Sequence, residues 1–299
     1  MKELNKGRIG LLIMAMIWGS SFAFNELAMQ SFTPYQLLAL RYSIAALCLL
    51  VIFRTKILSA PFLVIKKGVL LGIVLYLAYI FQTVGLFYTS PTKNAFLTAF
   101  NVILVPFLAA TVMKRKIKSY DYLGAIVTLV GIGVMSMTSR LAAFNLGDLL
   151  TLISAFFFAW QILFSDMFAK QEDPLVINSI QMITAAFLAN VVALIEGQTF
   201  DFSNHQSNMT VIYLAVFCTM IAFLLQTYSQ QFTSETEAVL IMSLESIFGM
   251  FFSILIVKDY PTIRTLIGAM LIIGGVLIVE LVPLARKNKV FIKESKGGK

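Results

Sequence analysis

Apolar residues dominate this chain in runs of about 20, broken by short stretches marked with charge, proline or glycine. The runs fall near residues 9–29, 34–53, 68–89, 92–113 and 120–138, and again near 147–169, 174–195, 209–231, 235–257 and 262–283. Each is about as long as a helix needs to be to cross the hydrocarbon core of a bilayer, so the pattern predicts an all-α membrane protein with ten transmembrane helices. Pro34, Pro174 and Pro261 stand at or just before the first turn of a run, where a missing N–H costs nothing. Pro106 lies inside a run and predicts a kink there.

The polar positions repeat. Gln82, Thr83, Thr89, Ser90 and Thr92 recur as Gln226, Thr227, Thr233, Ser234 and Thr236, each 144 residues later and without a gap. Behind each set runs a stripe at helical spacing, Asn94, Thr98 and Asn101 in the first copy and Ala238, Met242 and Glu245 in the second. Asn101 and Glu245 are therefore equivalent positions. Trp18 and Trp160 stand 142 apart and Pro34 and Pro174 stand 140 apart, so the earlier runs echo each other as well. The chain reads as two copies of one unit: residues 1–143, residues 144–285, and a basic tail at 286–299.

Charge orients the copies. With the N-terminus inside, the clusters Lys2–Arg8, Arg54–Lys67, Lys114–Lys118, Lys170 and Arg286–Lys299 put eighteen of the 23 Lys and Arg residues on the cytoplasmic side. Lys93, Arg140, Lys258 and Arg264 fall on the other side, and Arg41 lies within a run. This asymmetry places both termini in the cytoplasm. Five crossings per copy then force the copies to traverse in opposite senses, the inverted-repeat arrangement associated with transport.

Composition agrees: 59% hydrophobic and 13% charged residues suit a lipid bilayer rather than water. The net charge of +8 sits at the ends of apolar runs, where it orients a membrane protein and gives no reason to expect a nucleic-acid partner. The first run follows Lys2, Lys6 and Arg8 as a signal peptide would, but it is too long and stays as a helix. Cys48 and Cys218 lie in apolar runs without ligand spacing and read as buried small hydrophobes. His205, the one histidine, sits in a polar loop. No nucleophile–base pair, metal motif or phosphate loop accompanies it, so the chain reads as neither an enzyme nor an ATPase, with no cofactor.

The stretches IWGSSFAFNELAM, TSPTKNAFLTAFNVILVPFLA, KRKIKSYDYLGAIVTLVGIGVM and DYPTIRTLIGAMLIIGGVLIV, in this order, resemble the drug/metabolite transporter superfamily, EamA type. The resemblance implies ten helices, a substrate cavity between the two repeats, and export or exchange of a small-molecule metabolite such as an amino acid, in the inner membrane of a prokaryote. It names no substrate. A non-transporting scaffold or receptor on the same fold is the alternative.

An ionisable group at mid-helix costs about 2.5–3.5 kcal/mol to insert, so each one needs a reason. Glu245 stands near the middle of its run, either as a cavity carboxylate that takes a cationic substrate group or carries a coupling proton, or as a protonated bridge between helices. Gln82 and Gln226 offer donor and acceptor to a substrate or to a neighbouring helix. Trp18, Ser21 and Asn25 share one helix face. With Trp160, and with Tyr76 and Tyr79 ahead of Gln82, they flank a cavity or pack. The candidate substrate-binding set is Trp18, Asn25, Tyr79, Gln82, Asn101, Trp160, Gln226 and Glu245, with Glu245 as the coupling candidate for a proton or cation. Arg41 is assigned to a pair with Glu26 in the same helical hairpin, with an anionic substrate as the other reading. Lys93 and Glu237 occupy equivalent helix starts and read as snorkelling or gating groups. Asp166 reads as a hydrated group near the cytoplasmic end of its run. Gly124 with Gly131, and Gly268 with Gly275, each lie seven apart on one face and allow close helix contact, within the chain or across a homodimer.

Overall fold

In a computed structural model, residues 2–114, 117–136, 145–197, 199–233 and 235–297 are described, and among them the chain is helical with no strand. The first half holds α1 (Lys2–Ala28), α2 (Pro34–Leu58), α3 (Phe62–Phe87), α4 (Pro91–Thr98), α5 (Phe100–Met113) and α6 (Ser119–Ser136). The second half holds α7 (Leu146–Ala169), α8 (Pro174–Glu196), α9 (His205–Tyr213), α10 (Ala222–Gln230), α11 (Glu235–Met242), α12 (Glu245–Phe252) and α13 (Ile263–Gly297). Two π-helical stretches, Leu214–Ile221 and Ser253–Val257, continue α9 and α12. Among the described residues, eight helical stretches are long and apolar enough to span a bilayer, with α4–α5 and α9–α10 each counting as one. Two shorter apolar stretches, Ser119–Met135 and Ile263–Val279, accompany them. This is a multi-pass membrane protein. Arg115, Lys116, Arg140, Ser234 and the expected boundary at 143–144 lie outside the described residues, as do the side chains of Thr236, Glu237 and the basic tail.

Local chemistry sets the helix starts. Thr33 and Gln36 form a capping box ahead of Pro34 at the start of α2, and Asn145 and Asp148 form another at the start of α7. Ser90 caps α4 through the Lys93 backbone N–H, and Asp173 caps α8 ahead of Pro174.

Pro106 does not end its helix. Helix α5 runs through Pro106, and the break falls at Ala99, where the Val102 N–H turns back to the Ala99 carbonyl at 3.1 Å. The second copy breaks at the matching place, between Met242 and Glu245, with the Leu244 N–H on the Ile241 carbonyl at 3.2 Å. Met250 stands there at the place equivalent to Pro106, so the proline is not what interrupts the helix. Both interruptions tighten one turn to i→i+3 bonding. Asn101 and Glu245 are thereby left at the beginnings of new half-helices.

Helix α6 packs against α13, α2 against α8, α3 against α7 and α8, and α1 against α10, α12 and the π-helical Leu214–Ile221. The α6–α13 contact rests on the four glycines, which pair within the chain as Gly124 with Gly275 and Gly131 with Gly268. A Cβ on Gly275 would stand 2.6 Å from the Gly124 carbonyl oxygen, and one on Gly268 2.7 Å from that of Gly131. Gly275→Val is therefore expected to destabilise the protein by about 1–3 kcal/mol through overpacking. A lowered melting midpoint and loss of a monodisperse peak in detergent would show it. The neighbouring Gly274→Val, where a Cβ meets nothing within 4 Å, should behave as the parent does.

Candidate functional site

Seven helices from both halves converge on one narrow cavity near mid-span. Its walls are Trp18, Ser21 and Phe22 of α1, Tyr79 and Gln82 of α3, and Thr98, Ala99, Asn101 and Val102 around the first break. Phe158, Gln161 and Ile162 of α7, and Met242, Ser243, Glu245 and Ser246 around the second break, complete them. About 20 Å³ is open to the centre of a water molecule, which is room for about one water. A metabolite enters only if the helices separate.

The breaks explain why polar groups gather here. A helix start leaves backbone N–H groups without intrahelical acceptors and carries the positive end of the helix dipole. Glu245 opens α12 and Asn101 occupies the first turn of α5, so each break presents its polar side chain where the backbone favours negative charge. Among the described residues no hydrogen bond or ion pair reaches the Glu245 carboxyl. It is the cavity's one titratable carboxyl and faces the space unpartnered.

Across the cavity, Gln82 Nε2 donates to Thr98 Oγ1 at 3.1 Å. Asn94 Nδ2 donates to the Gln82 carbonyl at 3.3 Å and to Thr151 Oγ1 at 2.8 Å, which ties α4 to α3 and α7. The Trp18 indole N–H donates to the Cys218 carbonyl at 3.1 Å, and its ring centroid lies 4.8 Å from that of Phe223. Tyr79 packs edge-on to Phe158 at 5.1 Å and to Tyr42 at 5.8 Å.

Behind Tyr79 sits Arg41, wholly buried. Its Nε donates to Thr219 Oγ1, Nη1 to Asn25 Oδ1 at 3.4 Å, and Nη2 to the Tyr79 hydroxyl at 3.3 Å and the Cys218 carbonyl at 3.2 Å. Its Cζ lies 4.5 Å from the Tyr79 ring centroid, a cation–π arrangement. The expected partner Glu26 is not among these groups, and Glu26 Oε2 is buried without a hydrogen bond. Successive residues on a helix point about 100° apart, so Asn25 rather than Glu26 occupies the face of α1 toward Arg41. Because the Tyr79 hydroxyl accepts from Arg41, its own hydrogen is left for another acceptor.

Of the residues singled out in the sequence, Trp18, Tyr79, Gln82, Asn101 and Glu245 line the cavity. Asn25 is the Arg41 ligand just described. Gln226 is fully buried behind Gln161, exchanging hydrogen bonds with it at 3.4 Å in both directions. Trp160 is not a wall; it packs on Phe164 at 5.0 Å. The two tryptophans suggest a register of 142, but the cavity faces of α1 and α7 match at 140, so that Trp18, Ser21 and Phe22 correspond to Phe158, Gln161 and Ile162. The two prolines at 140 carried the correct register, and applying it would have found Gln161. Lys93 forms an ion pair with Asp148 at 2.7 Å, and Asp166 pairs with Lys170 at 2.7 Å.

The EamA-like transporter family matches this chain twice, over residues 5–137 and 145–281. An uncharacterized transporter of Archaeoglobus fulgidus is 32% identical over 91% of this chain and 85% of its own length. The uncharacterized transporters YyaM and YdfC of Bacillus subtilis are 25% and 23% identical, over 93% and 94% of this chain and 94% and 92% of theirs. One crystal structure aligns with a TM-score of 0.67 at 18% identity, covering 93% of this chain and 96% of that one, which speaks for the fold alone.

Proposed function

The chain belongs to the EamA-like transporter family, and from that premise we propose a secondary transporter that moves a small polar or amphipathic metabolite, such as an amino acid, by alternating access through the central cavity. Two inverted five-helix repeats would make up the carrier, with both termini in the cytoplasm of a prokaryotic cell. The two family matches, the 144-residue offset and the mirrored helix breaks support the repeats. The bacterial and archaeal relatives support the setting. The observation that carries the reading is the narrow cavity walled by both halves, with one unpartnered carboxyl. A buried polar space shared by two repeats is the arrangement in which rocking one bundle against the other exposes a site to each face in turn.

Binding chemistry follows from the walls. Trp18, Phe22, Phe158 and Ile162 bury apolar surface of the solute, Gln82, Asn101 and Gln161 fix its orientation, and Glu245 receives a cationic group or a proton. Tyr79 donates to an acceptor on the solute, with Arg41 as the positioning residue behind it. The resemblance favours export, although gradients rather than geometry set the direction.

Purified protein in proteoliposomes, loaded with pooled cellular metabolites, should show saturable movement of one or a few compounds. Saturable movement of none by folded protein would overturn the reading in favour of a scaffold or receptor. Cysteine accessibility should place residues 114–118 on the cytoplasmic side and 196–208 on the other.

A further inference from the structure

Between the cavity and one end of the molecule, α7 and α10 meet along polar side chains. Gln161 pairs with Gln226 at 3.4 Å, Ser165 Oγ donates to Gln230 Oε1 at 2.9 Å, and Gln231 Nε2 donates to the Ala169 carbonyl at 2.8 Å. Helix α8 extends the cluster: Gln181 Oε1 accepts from Gln161 at 3.4 Å, and Gln181 Nε2 donates to Asn178 Oδ1 at 3.5 Å. Gln161, Ser165, Gln226, Gln230, Gln181 and Asn178 are each at most 1% exposed.

This cluster is polar beyond what it satisfies. The amide contacts of 3.4–3.5 Å are long against the usual 2.9–3.0 Å. Asn178 Nδ2 is buried with no partner, and so is Asp166 Oδ1, one residue past Ser165. Two helices that only needed gluing would hold fewer and shorter bonds. The equivalent places in the first half, at offsets of 140 and 144, are Ser21 and Asn25 on α1 and Gln82 and Leu86 on α3. No amide zipper joins those two helices, because Asn25 serves Arg41 and Gln82 serves Thr98. Gln181 itself stands at the place equivalent to Arg41, so a cation anchors one half where an amide stands in the other.

We propose that the cavity's route to the cytoplasm runs between α7 and α10, along this amide seam, and that the seam passes a hydrophilic solute with its water. Amides lose little when they trade one another for water, so the seam opens by wetting, whereas an apolar seam resists water. Gln161 belongs both to the cavity wall and to the seam, which makes the path continuous. A solute leaving the cavity exchanges hydrogen bonds along Gln161, Gln226, Ser165 and Gln230, and meets Asp166 and Lys170 at the mouth. The side assigned rests on the orientation proposed above.

The test reads accessibility and needs no substrate. In a background with both native cysteines replaced by alanine, Ser243→Cys reports on the cavity and Ser165→Cys on the seam, in inside-out vesicles exposed to a membrane-impermeant maleimide. Both should react. Adding Ser165→Leu with Gln230→Leu should slow Ser243→Cys labelling from that face about tenfold while leaving labelling from the opposite face unchanged. An unchanged rate in the leucine pair, or no reaction of Ser165→Cys from the cytoplasmic face, overturns the route. If the leucine pair does not fold, the Ser165→Cys result decides alone. Labelling of Ser165→Cys only from the opposite face overturns the orientation together with the route. A protein that labels as expected but carries no compound in proteoliposomes overturns the transport reading and leaves the path standing.

Discussion

Glu245→Gln flattens the pH dependence of flux in proteoliposomes while the protein remains folded in the membrane. Glutamine keeps the volume and hydrogen-bonding capacity of the side chain and deletes only its titration. In this cavity no protein group takes over that role, since the other polar walls, Ser21, Tyr79, Gln82, Thr98, Asn101, Gln161, Ser243 and Ser246, include no second carboxyl. One governing carboxyl can change a rate by up to about tenfold per pH unit along its limb, so the loss should be plain between about pH 5 and pH 9. Asn101→Ala, at the equivalent position, removes a neutral partner. It should raise the half-saturation concentration by up to about tenfold, the worth of one hydrogen bond, and leave the pH profile intact. A Glu245→Gln protein with unchanged rate and unchanged profile would make Glu245 an interhelical bridge and move coupling to Asp166, to Glu237 or to no residue.

Arg41→Lys lowers thermal stability, on the order of 5 °C in the melting midpoint of the detergent-solubilised protein. The guanidinium spreads its donors over Thr219, Asn25, Tyr79 and the Cys218 carbonyl, and so holds α1, α2, α3 and the π-helical Leu214–Ile221 in one arrangement. An ammonium is a compact charge with three donors and cannot span that set. Losing two such bonds costs about 1–3 kcal/mol at the modest values found inside membranes, which at about 2–4 °C per kcal/mol gives the stated shift. The same substitution withdraws the donor from the Tyr79 hydroxyl, so substrate affinity should fall with stability. A midpoint within error of the parent would mean that the shorter ammonium side chain reaches the same acceptors, and would remove the anchoring role.

Much of this was readable from residue order, and the misses have physical causes. Apolar run length is set by bilayer thickness, so eight of the ten expected spans and the starts at Pro34 and Pro174 follow from the sequence, while the runs near 120–138 and 262–283 meet shorter apolar stretches. The stripe through Asn94, Thr98 and Asn101 could be read because helical spacing alone places it on one face. What spacing cannot supply is the rotation of one helix against another. Glu26 and Asn25 differ by one residue, and only packing decides which of them faces Arg41. Trp160 matches Trp18 in chemistry but stands two positions off the face that reaches the cavity. Gln161 escaped notice for the same reason. The helix break escaped because Pro106 is a visible signal, while Ala99 and Ser243 carry none.

The shared interruption also has a meaning for descent. Each half of the chain is a sister sequence to the other, so comparing Ala99 with Ser243, and Pro106 with Met250, is an experiment already performed on one fold. A break that persists with and without the proline does not depend on the proline. Asn101 and Glu245, which begin the helices after that break, have since taken on different chemistry. If a single ancestral half once paired with a copy of itself, both walls of its cavity bore the same residue, and a cavity with one acidic and one neutral wall became available only after duplication.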